Sequence, residues 1–313
     1  MEEEKNVEIN TIPKLFWNSV KSRADRVAMR EKDLGIWQEI SWAVYGEKAK
    51  LTGLALHELG LEKGNVVSIA SEGMPEWLYT DMGTIGAGGI SSGIYTTDSA
   101  EQVKYLVNDS STKFYFAENE EQLDKILEVR SECPTLKQII VFDMEGLNEF
   151  HDDQVISYEE FLKIGEKANQ EKPDLWESLI NNVNSSDIAI LVYTSGTTGP
   201  SKGAMINHEN ILYSINTGYD IFETMEHEEQ LSFLPLCHIL ERSVSVMIPL
   251  KTGAVVNFAE SIDTVPENIR EVSPTVFIAV PRIWEKFSSS ITILMKDATF
   301  RGKYSYQFSI NVG

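Results

Sequence analysis

Short apolar runs recur along this chain, and helical patterns fill the intervals between them. The runs "NVVSIA" (65–70), "KFYFA" (113–117), "QIIVF" (138–142), "DIAILVYT" (187–194), "LSFLPL" (231–236), "AVVNFA" (254–259) and "TVFIAV" (275–280) are too short for buried helices, and β-branched and aromatic side chains are frequent in them. Strands that are apolar on both faces need cover on both faces. The alternation therefore predicts an α/β fold of mostly parallel sheets flanked by helices, in two adjoining lobes.

The helices announce their ends. Ser41 can cap a helix that carries Val44, Leu51, Ala55 and Leu59, and Gly60 ends it. Pro75 opens "PEWLYTDMGTIGAGG" at a first-turn position that tolerates proline. Further helices are expected from Ser99, over 120–130, from near Asn207, over 238–250 and over 265–272, and Pro281 opens the last, "PRIWEKFSSSITILMKDA". Residues 12–150 are expected to form the first lobe and 187–313 the second. The more polar 151–186, with the amphipathic helix "YEEFLKIGEKA", reads as a connection between lobes or as a surface excursion of one. The closing "FRGKYSYQFSINVG" stops without an assigned element.

Charge narrows the partners. Lys+Arg 27 against Asp+Glu 48 gives a net charge of −21, which repels nucleic acid and anionic lipid at long range. The first residues, "MEEEKNVEIN", are acidic where a signal peptide would be basic and then apolar, and no apolar run is long enough for a bilayer. Cys133 and Cys237 have no zinc-site spacing. A reduced, cytoplasmic protein without a structural metal is expected.

Against that negative field, "YTSGTTGPSKG" (193–203) packs glycines, hydroxyls and one lysine behind an apolar strand. Backbone N–H groups at such a turn can converge on an anion. Gly196, Gly199 and Gly203 allow positive φ and close approach, Ser195, Thr197 and Thr198 can donate, and Lys202 supplies a point charge. The P-loop pattern GxxxxGK[ST] fails twice: Ser201 replaces the glycine before the lysine, and Gly203 replaces the hydroxyl after it. The dinucleotide pattern GxGxxG is also absent. This is a phosphate loop of another type.

The loop resembles that of the adenylate-forming enzymes, usually TSGTTGxPKG, with Pro200 and Ser201 standing where that family has a variable residue and then proline. "LPLCHILER" (234–242) and "VPRIWEKF" (280–287) are similar to segments of long-chain fatty acid–CoA ligases. "SSSITILMKDAT" and "FSINVG" look most like the bubblegum-type acyl-CoA synthetases. The resemblance runs from about Ile12 to Gly313. It implies the N-terminal part of the adenylate-forming fold. It also implies a two-step reaction: a fatty acid carboxylate attacks the α-phosphate of ATP to give an acyl adenylate and pyrophosphate, then coenzyme A displaces AMP.

By that resemblance Thr194, Ser195, Gly196, Thr197, Thr198, Gly199 and Lys202 hold the nucleotide, and Thr194 also approaches Mg2+. The alternative for Thr194 is a hydroxyl that ties off the strand end. Lys202 and His238 become the candidate catalytic residues, His238 near the acyl and adenylate pocket; its alternative is to cap its own helix. Thiol catalysis by Cys237 lacks an activating partner. Glu241 and Arg242 read as a surface or interlobe ion pair, Arg282 and Glu285 as an i,i+3 pair, and His208 as part of a helix start. His57, His151 and His227 receive no role.

The family's YGxTE and YxTGD segments, its hinge and its mobile C-terminal domain have no counterpart in residues 1–313, so the sequence is expected to be an inactive fragment of a ligase. The alternatives are a nucleotide- or acyl-binding module, and a half-enzyme complemented by a C-terminal polypeptide. Peripheral membrane contact is compatible with a lipid substrate, though no basic amphipathic helix announces it.

Overall fold

The computed structural model describes residues 9–194, 199–221 and 228–312. Among these residues it has eleven strands: β1 (Val27–Asp33), β2 (Ile36–Ser41), β3 (Val66–Ala70), β4 (Ile90–Ile94), β5 (Thr112–Ala117), β6 (Gln138–Val141), β7 (Val155–Ser157), β8 (Ile188–Thr194), β9 (Lys202–Asn207), β10 (Glu229–Ser232) and β11 (Val255–Phe258). They form a seven-stranded sheet, β7-β6-β5-β3-β4-β8-β9, and a four-stranded sheet, β10-β11-β1-β2. Every neighbouring pair is parallel except β8–β9 and β1–β2. The expected α/β class stands.

Alternation within the central strands builds two cores. Phe114, Phe116 and Ile140 pack on one face of the seven-stranded sheet, while Tyr115, Ala117, Ile139 and Val141 pack on the other. The first core continues through Val67 and Ile69 to Met29, Val256 and Phe258 of the other sheet, so the two sheets share buried surface. Helix starts follow local chemistry. The Ser41 hydroxyl accepts from Val44 N–H, and Ser99 with Gln102 and Ser157 with Glu160 form reciprocal capping boxes. Pro75 opens helix Pro75–Gly86 as expected.

The strands group differently from the lobes read in the sequence. β8 and β9 join β3–β7, whereas β1, whose other neighbour is its hairpin partner β2, pairs with the distant β11, Met29 opposite Val256. Residues 151–186 are not a spacer: β7 is the edge of the large sheet, and helix Tyr158–Glu171 buries Tyr158, Phe161, Leu162, Gly165 and Ala168. Trp176 of the following helix, Leu175–Asn181, is buried against Gly53 and Gly86, where any Cβ would run into its ring. The stripe that made this passage look amphipathic is the face it packs on the sheet's helices.

Four other segments depart from expectation. "TVFIAV" is no strand; Thr275 and Val276 both donate to Glu229 O at the outer side of β10, and Phe277 turns into an aromatic cluster with Phe233, Trp284 and Phe287. The expected helix 238–250 is Ile239–Arg242, a π segment Ser243–Met247 and Ile248–Thr252. β9 is an added strand, and Phe300–Val312 is a helix with no buried residue. Among the described residues no helix is long and apolar enough to cross a membrane.

Candidate functional site

The glycine-rich loop is the connection of an antiparallel pair. β8 and β9 run in register with Thr194 opposite Lys202 and Tyr193 opposite Gly203. Ser195, Gly196, Thr197 and Thr198 lie outside the described residues. Gly199 has φ +99°, the left-handed backbone expected of it. Gly203 serves close approach instead: a Cβ there would meet the Tyr193 ring at 3.2 Å. Lys202 is exposed at the start of β9, and among the described residues no carboxylate pairs with its ammonium.

Two tyrosines tie the loop's flanks to one helix, Ala100–Asp109. Tyr105 of that helix donates to the Ser201 carbonyl at 2.7 Å, and Tyr193 donates to Asp109 Oδ2 at 2.8 Å. Burial and the neighbouring Asp109 charge push the Tyr193 phenol well above its ordinary range, so it stays a donor. The helix is itself fixed by its capping box. Sequence reading assigned neither tyrosine, because their role depends on which helix lies beside β8.

A cavity of about 390 Å³ opens at the carboxyl ends of β4 and β8, the place where α/β sheets bind ligands. Thr194, Ser201 and His238 line it together with Gly93, Tyr95 and Asp98. Thr194, at the strand end and exposed, and His238, far from it in the chain, therefore face one space. His238 also caps its own helix: Nδ1 accepts from Leu240 N–H at 3.2 Å, and the His238 carbonyl accepts from Arg242 N–H at 3.0 Å. The cap and the cavity position coexist, because capping occupies Nδ1 and leaves Nε2 for a ligand.

Thiol chemistry is disfavoured beside the cavity. Cys237 is buried, and that burial pushes its thiol up to about 12, so it stays protonated at neutral pH. Burial likewise raises the Tyr95 phenol to about 12 and raises the Asp98 carboxyl. Among the described residues no group of His, Cys, Asp and Glu could hold a metal ion. Thr194 offers one oxygen where magnesium takes six, so this side chain alone is no metal site.

Glu241 and Arg242 need correction. Both are buried, and they pair elsewhere: Arg242 with the buried Asp81, Glu241 with the Ser232 and Ser245 hydroxyls at 2.7 Å. They lie between packed elements instead of at the surface because Arg242 reaches into helix Pro75–Gly86 and Glu241 to the end of β10. His208 does start its helix, and it is buried with Nδ1 accepting from Ile12 N–H at 3.3 Å. Among the described residues no ion pair joins Arg282 to Glu285; their helix, Pro281–Asp297, pairs through Lys286 with Asp263 at 2.9 Å.

Residues 16–309 match the AMP-binding enzyme family. The human long-chain-fatty-acid–CoA ligase ACSBG2 is 33% identical over 309 residues, covering 97% of this chain and 45% of that protein. The human long-chain-fatty-acid–CoA ligase ACSBG1 is 32% identical over 288 residues, covering 90% of this chain and 39% of the relative. The chain thus spans less than half the length of these curated relatives. Among solved structures, the anthranilate CoA ligase AuaEII in complex with anthranoyl-AMP aligns with a TM-score of 0.73 at 20% identity, covering 88% of this chain and 50% of that one. ATP-bound MatB from Rhodopseudomonas palustris aligns with a TM-score of 0.69, also at 20% identity, covering 88% and 50%. The family match over residues 16–309 and the identity over nearly the whole chain agree, and the chain belongs to the AMP-binding enzyme family.

Proposed function

We propose that this chain carries the polyphosphate-gripping part of a long-chain fatty acid–CoA ligase of the bubblegum type. The observation that carries the reading is the single cavity shared by Thr194, Ser201 and His238, with Lys202 in register beside Thr194. Support also comes from the likeness to the ACSBG ligases over nearly the whole chain.

In the reaction, a fatty acid oxygen attacks the α-phosphorus of ATP, the bond to pyrophosphate breaks, and negative charge gathers on the leaving group. Loop N–H groups, the Ser195, Thr197 and Thr198 hydroxyls and the Lys202 ammonium meet that charge, and positioned donors of this kind dominate phosphoryl-transfer catalysis. His238 faces the acyl and adenylate end through Nε2. Magnesium would shield the phosphates with Thr194 as one oxygen ligand, and coenzyme A is the second-step substrate. Two free, buried cysteines suit a cytoplasmic setting.

The test is calorimetric titration with Mg-ATP. Lys202→Ala with Thr197→Ala and Thr198→Ala is expected to weaken binding at least about tenfold, the loss of one strong charge-assisted contact. Unchanged affinity in that variant would refute the loop assignment. A second reading, a half-enzyme completed by another polypeptide, is favoured by one observation. The last two helices expose Trp284, Leu294, Phe300 and Phe308. Peripheral membrane contact would draw on the same side chains, and flotation with neutral liposomes distinguishes the two.

A further inference from the structure

The stretch 237–242, which brings His238 to the cavity, is held from three sides by groups outside the nucleotide loop. Gly93 of β4 lies so close that a Cβ there would stand 2.5 Å from Cys237 Cβ. Glu241 is anchored to the Ser232 hydroxyl at the end of β10 and to Ser245. Arg242, wholly buried, is paired with Asp81 of helix Pro75–Gly86, and its guanidinium lies 5.0 Å from the Trp77 ring centroid. Adjacent residues therefore pull in different directions, Glu241 to the four-stranded sheet and Arg242 to a helix of the seven-stranded sheet.

Net stability is a weak reason to keep such a pair. Stripping water from two ions costs several kcal/mol each, and apolar side chains of the same volume often serve as well or better. What apolar side chains lack is a directional contact. The helix Ile239–Arg242 needs one, because four residues that run directly into the π segment Ser243–Met247 make too short a ladder to hold their own orientation.

We propose that Asp81 and Arg242 are positioning residues: their buried ion pair fixes the short helix against helix Pro75–Gly86 and so sets the His238 imidazole in the cavity, with Nδ1 on Leu240 N–H and Nε2 available to a ligand. The inference rests on the reading of His238 as the ligand-facing histidine, but its readout requires no nucleotide.

That readout is nitrogen-15 NMR of the imidazoles in the full 313-residue chain in alkaline buffer, with His238→Gln to assign the signal. The native chain is expected to show a single His238 tautomer with Nδ1 unprotonated. Asp81→Leu combined with Arg242→Met fills the space without charge. This variant is expected to stay folded by near-ultraviolet circular dichroism and to lose the single-tautomer pattern. A folded double variant that keeps the native pattern overturns the proposal, as does a native chain that shows two averaged tautomers. Should the double variant fail to fold, Asp81→Asn decides: tautomer averaging supports the proposal and an unchanged pattern overturns it. Mg-ATP titration of the same samples keeps the two readings apart. A native chain with one tautomer and no nucleotide binding would defeat the functional reading and leave the positioning role standing.

Discussion

His208 is 1% exposed, and burial pushes its imidazole from the usual 6.5 down to about 4. The unfolded chain binds a proton there that the folded chain refuses, so this residue makes stability fall as pH drops from about 6.5 to about 4. The span corresponds to about 3 kcal/mol. Glu31 opposes it. Burial, then the charges of Glu76 and Asp33, raise its carboxyl to about 7, so its contribution falls as pH rises from 4.5 to about 7. Urea melts of the native chain and His208→Gln across that range should therefore diverge, the variant losing stability less steeply on acidification. Parallel curves would mean that His208 is not buried as a neutral base. A histidine at a helix start is legible in "INHEN"; its partner, Ile12 N–H, is not, because nothing local links positions nearly two hundred residues apart.

Elements whose ends carry their own chemistry were readable. Ser41, Pro75, Ser99 and Pro281 all stand at the starts of observed helices, since a cap or an N1 proline acts within one turn. Elements defined by neighbours were not readable. β9, "KGAMIN", has little alternation and is a strand because β8 lies beside it; "TVFIAV" has strand composition but bonds to β10 only at its first residues. Helix Leu175–Asn181 belongs to the second kind, and its anchor is testable. Trp176→Ala should cost about 3–5 kcal/mol by urea denaturation, the range for emptying a large aromatic site. Gly86→Ala, which thrusts a methyl into the same ring, should cost about 1–3 kcal/mol. A melt unchanged in both would show that the passage 151–186 does not pack on the sheet's helices.

For the molecule as a whole, two surface properties compete. The net charge of −21 keeps copies apart, while Trp284, Ile291, Leu294, Phe300, Tyr304 and Phe308 leave the last two helices with exposed apolar side chains. Salt weakens the first and leaves the second, because the screening length falls to about 10 Å near 0.1 M. Sedimentation velocity should show monomer at low ionic strength and growing association as salt is added, suppressed by Trp284→Glu. Salt-independent monomer would mean that these side chains do not act as one surface. Partnership between distant strands is also a whole-molecule property, which is why the lobes read from sequence were regrouped. The regrouping has a temporal side. All seven strands of the large sheet lie within residues 66–207, but Met29 of β1 must wait for Val256 of β11. On the ribosome the larger sheet can close first. The hairpin made earliest, β1–β2, then stays without its partner until most of the chain has been synthesised, an interval in which an unpaired strand edge invites chaperones.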